Sequence, residues 1–531
     1  MKLYKYLFLL SIPVALTVSC KKSEFVQANI NPSTLTAVDP GAQFLYASAH
    51  FPSDFEHYYD YYRAIMPWMQ YITGSGGNAP NFTLQSGNFN YRYGNFYGNV
   101  GLALADIPHL IEKMPAASQP GRVYQNAIAS IFKAYYAFYV SDINGSIPYS
   151  QAFEARYGGT LTPVYDAQQQ LFDSLDLQIK TAVTTLETSQ SVTQVPYGTN
   201  DPFYGGNVTN WIKAGNALRL KIATRLLKVD AATLTSIATS VLADGNQMSS
   251  VGDSWVMLVG PSYADASGNF NPTGFLAAKP MVDFMNSKAD PRLSVFYRPN
   301  SSNAYVGSPT DPDTCQLPFY QALYTASNPP FSQIQHRLWT PNFNEGSGAG
   351  TGTGFFPVIT YAEYCFIRAD LAARGITQDI DSVWYNKGVT ASITFYDARA
   401  TAAGLTAYTP LTNPAATAYL YLQVPGIAFN PAKATEQIAC QAYIDFFKQP
   451  AEAWAWWKRT GFPNTTSVLA WSPLTSNGTP NVLSRRVALG TLTTADANYA
   501  NQQAAFKAEA ASTYWGSGPA DASGRVWWDA P

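Results

Sequence analysis

The chain is poor in the residues that most often carry out chemistry. Its 531 residues include four histidines and four cysteines, and only 13% are charged. His50, His57, His109 and His336 form no H-E-x-x-H or other zinc spacing, so no metal centre is expected. His50 and His57 lie at expected helix ends and read as solvated or cap-associated imidazoles. G-x-S-x-G, Walker and G-x-G-x-x-G motifs are all missing, which removes the sequence signals for a serine hydrolase, a P-loop enzyme and a dinucleotide-binding enzyme. No cofactor is expected. A glycoside hydrolase stays open, because two carboxylates far apart in the chain leave no local motif.

Long apolar runs are scarce as well. LFLLSIPVAL, Leu7 to Leu16, contains Pro13 and is half the roughly 20 residues a membrane-spanning helix needs. Placed behind MKLYKY, which carries two lysines and no acid, it has the layout of an export signal. Thr17 and Ser19 lead up to Cys20; Thr17 holds the place where a lipobox has leucine, and Leu16 sits one position further out. Residues 1–19 thus read as a lipoprotein signal peptide, Cys20 as the lipidated residue, and residues 20–40 as a lipidated tether. Acyl chains on Cys20 would anchor the protein to a membrane without any helix crossing it.

Removal of residues 1–19 leaves 31 basic residues against 35 acidic ones, a net charge near −4, which attracts no nucleic acid. Cys315, Cys365 and Cys440 then allow one bridge at most. Cys365 and Cys440 fall in helical stretches and read as packed free thiols. Aromatic residues are in excess: 35 Tyr, 29 Phe and 12 Trp make up 14% of the chain. Many must fill a core, and some are expected on the surface, where flat rings suit a stacking ligand.

Helical periodicity dominates, as in QNAIASIFKAYYAFYV, where Ile128, Ile131, Tyr135 and Phe138 recur at three and four residues. It predicts helices at about 41–51, 57–73, 93–114, 121–141, 163–186, 207–228, 231–244, 278–286, 358–374, 379–400, 433–448, 450–458 and 495–512. No segment shows sustained strand alternation. In WIKAGNALRLKIATRL the stripe Trp211, Ala214, Leu218, Ile222, Leu226 is expected to be buried, with Lys213, Arg219, Lys221 and Arg225 off it. The reading is all-α: one helical domain over 41–531, with irregular insertions at about 246–277, 294–357 and 401–432. Loops of that length are usually functional or mobile.

Several stretches together resemble one family: SDINGSIPYSQAF (141–153), GGTLTPVYDAQQQLFDSL (158–175), DPFYGGNVTNWIKAGNALRLKIATRL (201–226), DPRL (290–293), ITYAEYCFIRADLAARG (359–375), EAWAWWKRTGFP (452–463) and VWWD (526–529). Their order along nearly the whole mature chain is similar to that in the SusD/RagB family of nutrient-binding outer-membrane lipoproteins of Bacteroidota. The resemblance implies a TPR-like helical superhelix with long loop insertions, although no 34-residue TPR signature is visible. It also implies lipid anchoring in the outer membrane facing the exterior, an oligosaccharide or peptide ligand, and delivery to a TonB-dependent SusC-like transporter rather than catalysis. Lys458 stands where many members have a first arginine before the TG. Arg485-Arg486 is not followed by the usual tyrosine-proline.

The motifs read mainly as scaffold. In EAWAWWKRTGFP, Lys458 and Arg459 face the negative end of a helix, and Gly461 is placed for a left-handed cap. Ligand contacts are expected in two loops. Residues 67–97 offer Trp68, Tyr71, Phe82, Phe89, Asn90, Tyr91 and Tyr93, rings alternating with amides. Residues 318–343 offer Tyr320, Tyr324, Arg337, Trp339 and Phe343. Rings stack on sugar faces while amides and guanidinium bond hydroxyls. Half or more of these rings are expected to pin their loops to the helices instead.

The anchor is directly testable. Cells expressing the wild-type chain should incorporate a palmitate analogue into it, and Cys20→Ala should abolish the label and leave the chain uncleaved or released from the membrane. A wild-type chain that takes up no label would overturn the lipoprotein reading.

Overall fold

A computed structural model describes residues 38–52, 64–78, 91–261, 263, 272–346 and 348–531. Cys20, Phe82, Phe89, Asn90 and His57 lie outside the described residues. The chain folds around helices that pack in consecutive pairs. These are α1 (Pro40–His50), α2 (Gly101–Glu112), α3 (Val123–Asn144), α4 (Gln168–Glu187), α5 (Val208–Ala223) and α6 (Ala231–Leu242) in the first half. In the second come α7 (Lys279–Ser287), α8 (Pro318–Tyr324), α9 (Tyr361–Ala373), α10 (Asp381–Ala403), α11 (Pro414–Tyr421), α12 (Ala434–Asp445), α13 (Pro450–Thr460) and α14 (Tyr499–Glu509). Each of α1 to α5 packs on its successor, and the second half repeats the scheme with α9 on α10, α10 on α11, and α12 on both α9 and α13. Among the described residues, no helix is long and apolar enough to cross a membrane.

Local chemistry sets the helix ends. Asp39, Asn207 and Thr360 accept backbone N–H bonds at the starts of α1, α5 and α9, satisfying donors that a helix start leaves open. Gly461 closes α13 in the left-handed region with its N–H on the Trp457 carbonyl at 2.8 Å, as its place in the sequence predicts.

Four expectations are corrected. Trp255–Val259 (β2) and Gly354–Ile359 (β6) form an antiparallel ribbon. Nearly every residue of both strands is buried, so the apolar runs WVMLV and GFFPVI show no alternation to detect. The stretch expected as helix 57–73 contains only Met66–Trp68 as α-helix among its described residues and ends in a strand, Ile72–Thr73 (β1). The expected insertion 401–432 contains α11, whose start is marked by Asn413 as cap and Pro414 at the first turn.

The fourth correction matters most. The apolar stripe is not the only buried face of α5: Arg219, Lys221 and Arg225, which lie off it, are buried too. Arg225 makes two bidentate pairs: Nε and Nη2 donate to Asp142 of α3 at 2.9 and 3.1 Å, and Nη1 and Nη2 to Glu452 of α13, both at 2.9 Å. Lys221 Nζ sits 2.8 Å from Glu363 of α9 and 3.2 Å from Glu452. Burial opposes ionisation of Glu452, but Arg225 and Lys221 outweigh it and hold that carboxyl down to about 2. Glu363 is fully buried and is pushed up to about 7 by that burial, with Lys221 pulling it back. Apolar periodicity misses this cluster because the charges pair with partners far away in the chain.

Removing one member of a buried ion pair strands its partners without solvation and typically costs about 3–5 kcal/mol. Arg225→Met should therefore lower the unfolding free energy by about that amount, measured by urea denaturation at neutral pH. A loss no larger than that of an exposed pair such as Lys279–Asp283 would refute the cluster's structural weight.

Candidate ligand-binding surface

A small sheet joins the two loops. β1 (Ile72–Thr73) pairs with β3 (Leu276–Ala277), β3 with β5 (Gln333–Ile334), and β5 with β4 (Tyr297–Arg298), in the order β1-β3-β5-β4, all antiparallel. Beyond β1 the first loop is stitched to residues 309–312. Asn78 N–H donates to the Thr310 carbonyl at 2.7 Å, and Thr73 Oγ1 to the Pro309 carbonyl at 3.2 Å. Gly77 has φ +73, and a Cβ there would lie 2.9 Å from Pro312 backbone atoms; only glycine permits both the conformation and the contact.

From this base projects an exposed ridge. Asp311 caps the helical turn Pro312–Cys315 by accepting from Thr314 N–H at 3.0 Å, and also accepts from Thr475 Oγ1 at 2.8 Å. Asp313 accepts from the N–H groups of Asn477 and Gly478 at 2.6 and 2.8 Å. Those two residues form the turn of the hairpin β7 (Thr475–Ser476) and β8 (Thr479–Pro480), both with positive φ, as a tight hairpin requires. Two carboxylates thus lock the hairpin against the turn Pro312–Cys315, which leads into α8. None of the residues of α8 is buried. Phe319 is 67% exposed, and its ring meets Tyr320 at 5.1 Å and 78°. Tyr324 is held by Ser308 at 2.8 Å and by Phe331, 5.0 Å between ring centres. Ser476 Oγ and Asn481 Nδ2 of the hairpin region are buried without a hydrogen-bond partner among the described residues.

The other expected contacts fall elsewhere. Tyr71 is in the core, stacked on Tyr443 at 4.4 Å with its hydroxyl on the Tyr443 carbonyl. Trp68 is equally enclosed, edge-on to Trp454 at 5.1 Å. Neither ring offers a face to a ligand. Trp339 is buried against Phe447, and Lys448 Nζ lies 3.9 Å over its ring. Arg337 spends its donors on the carbonyls of Phe343, Gly404 and Gly348, so it fastens the loop. Phe343 packs half-buried on His336; burial and Arg298 push that imidazole down to about 4. Tyr91 is half-buried in the helical turn Tyr91–Asn95, and Tyr93 lies tilted against Tyr97, 4.6 Å between ring centres. Of the expected contacts among the described residues, Tyr320 and Tyr324 are brought to the ridge. Phe319 is not among the expected contacts, yet two adjacent rings opening a short helix behind Pro318 cannot both face one core.

Cys315, Cys365 and Cys440 are free and buried. Among the described residues no group of three or more metal-ligating side chains comes together.

The sequence profile of a family described as "Starch-binding associating with outer membrane" matches residues 35–482. The chain belongs to this SusD-like family. Solved structures share the fold of the SusD-like chain. A chitin-binding protein superposes with a TM-score of 0.72 at 22% identity, covering 93% of this chain and 100% of that one. A chitin-binding SusD homologue from Flavobacterium johnsoniae gives 0.68 at 20% identity, covering 92% and 97%. A SusD homologue from Bacteroides fragilis gives 0.66 at 20% identity, covering 92% and 99%. Comparison with curated proteins gives no match. The helical array is thus that of the SusD fold, and the resemblance carried by the motifs holds.

Lys448, beneath Trp339, gives a test of how dry this framework is. Burial pushes its ammonium from 10.5 down to about 7, so between those values the unfolded chain holds the proton and the folded chain does not. The lysine's contribution to stability is complete above pH 10.5 and is lost as the pH falls to 7. The wild-type unfolding free energy should therefore gain up to about 1.4 kcal/mol per pH unit from this group across that window. Lys448→Met should flatten that part of the slope and raise stability at pH 7; equal slopes in the two proteins would show that the ammonium stays hydrated.

Proposed function

We propose that this protein captures an oligosaccharide at the exterior face of the outer membrane, held there by lipid on Cys20, and hands it to a TonB-dependent SusC-like transporter. The observation that carries this reading is the ridge at α8. The exposed ring of Phe319 and the half-buried rings of Tyr320 and Tyr324, on an element with no buried residue, add little to a core. Stacking on a sugar face would use them. Membership of a family described as starch-binding supports a glycan over a peptide as ligand. Binding without turnover fits the state of the ridge carboxylates, since Asp311 is taken up as a helix cap and Asp313 by the hairpin N–H groups. Tyr320 and Tyr324 belong to the proposed surface with Phe319, while Trp68, Tyr71 and Trp339 are enclosed in the core and Arg337 fastens its loop.

Each well-placed ring contributes about tenfold in affinity. Phe319→Ala and Tyr320→Ala should each weaken binding of starch- or chitin-derived oligosaccharides longer than a disaccharide by about that factor, read by calorimetry, with no change in melting temperature. Incubation with the polysaccharides should release no reducing ends. Undiminished binding in both variants would move the site elsewhere, released reducing ends would favour a glycoside hydrolase, and binding of peptides alone would favour a RagB-like role.

A further inference from the structure

A second site lies away from the α8 ridge, where the C-terminal segment closes on the turn after α3. Gly145 ends α3 with φ +75, and a Cβ at this position would stand 2.7 Å from Glu509 Oε1. The glycine thus lets α14 bring Glu509 directly onto the turn. One carboxylate oxygen accepts from Ser146 N–H at 2.8 Å and from Ser146 Oγ at 2.5 Å. The second oxygen has no bond to any described residue, and no cation among them pairs with Glu509 within salt-bridge distance. Burial raises this carboxyl above its ordinary value, against the opposing pull of the Ser146 bonds and of Arg486. A carboxyl fixed in place, largely desolvated and half-satisfied, opens into a cleft.

The cleft has two compartments that share Ser146 and Tyr165. One, of about 220 Å³, is bordered by Glu509, Tyr514, Arg525, Trp527 and the exposed Gln169. The other, of about 230 Å³, is bordered by Tyr93, Gln502 and Phe506. Each is smaller than the roughly 300–1,000 Å³ of sites that enclose a drug-sized ligand, so each suits one small ring. The walls are built rather than accidental. Tyr514 donates its hydroxyl to the Trp527 carbonyl at 3.0 Å, Arg525 Nη1 donates to the Asp529 carbonyl at 3.2 Å, and Gln502 Nε2 donates to the Gly490 carbonyl at 3.1 Å. The half-buried rings of Tyr165, Tyr514 and Trp527 alternate with a carboxyl, a guanidinium and an amide. That combination matches a ring with an apolar face and an edge of hydroxyls.

We infer that this cleft is a second carbohydrate site, taking two linked sugar residues between Tyr165, Trp527 and Glu509, separate from the ridge at α8. The inference rests on the carbohydrate reading of the ridge for its ligand class only; the cleft is argued from its own lining. Rings supply the stacking faces, and the open oxygen of Glu509 accepts from a sugar hydroxyl.

The test uses the full mature chain and four probes: maltose, cellobiose, mannobiose and N,N′-diacetylchitobiose. Binding is followed by calorimetry and ligand-observed NMR. At least one disaccharide should bind in the millimolar range. Trp527→Ala should weaken that binding about tenfold and Glu509→Gln by several-fold, while a Phe319→Ala/Tyr320→Ala double variant leaves it unchanged. Trp527 also packs on Phe172, so Gln169→Trp, at an exposed position on the rim, provides a blocking variant that does not touch the core. If none of the four disaccharides binds the wild type, or if binding survives Gln169→Trp and Glu509→Gln unchanged, the cleft is not a sugar site. Loss of disaccharide binding in the ridge double variant alone would likewise overturn it and leave the ridge reading standing. The opposite pattern, disaccharide binding retained while longer glycans bind the ridge variant as well as the wild type, would sustain the cleft and remove the ridge.

Discussion

Arg225 is the pin of the helical array. It is fully enclosed, with Phe138 and Trp528 about its guanidinium at 5.2 Å each, and it joins Asp142 near the end of α3 to Glu452 in the first turn of α13. Charges placed in such surroundings are tolerable only when every donor meets an acceptor in good geometry. The two bidentate pairs meet that condition, and in doing so they fix the spacing of helices far apart in the chain. Lys221 extends the cluster to Glu363 of α9. The motif-bearing stretches SDINGSIPY, WIKAGNALRLKIATRL, ITYAEY and EAWAWW therefore meet in one place. The closing VWWD joins them, since Trp528 Nε1 donates to the Asp142 carbonyl and Asp529 pairs with Arg485.

Fixing the helices electrostatically in the core leaves the loops to be organised by other means. The four-stranded sheet is made of two-residue strands, and isolated pairing of that length is marginal. Its stability comes from anchor side chains instead: Tyr71, Trp339 and Arg337 reach from the loops into the helical core or clasp loop carbonyls. DPRL plays the same part from the other side. Asp290 and Arg292 pair with each other, and Arg292 reaches Ser392 of α10 and Gln441 of α12. Much of the aromatic excess is thus consumed in holding irregular segments to regular ones.

The helices were legible wherever a buried stripe repeated at helical spacing, and their ends wherever a cap residue was present, as at Asp39 or Gly461. The β2–β6 ribbon was not, because strands buried on both faces have no polar half to mark the period. The ion cluster escaped for a related reason. Lys221 and Arg225 look like an outer face when read on α5 alone, and only the partners contributed by α3, α9 and α13 reveal them as interior. Which rings of the two loops are exposed was not legible. A tryptophan such as Trp339 and an exposed ring such as Phe319 occur in one loop, and the side that each takes is decided by tertiary contacts.

That difference in placement has a chemical logic. α3 is buried along most of its length, so a change there disturbs packing on several sides at once. α8 has no buried residue; the turn before it is capped by Asp311 and tied to the hairpin by Asp313, and Tyr324 at its far end bonds Ser308. Rings on α8 can consequently be exchanged without moving the scaffold that presents them. A fold built this way separates the residues that must not vary physically, the paired charges and the enclosed rings, from those left exposed. Helical arrays that superpose closely at about 20% identity can then carry quite different surfaces on the same framework.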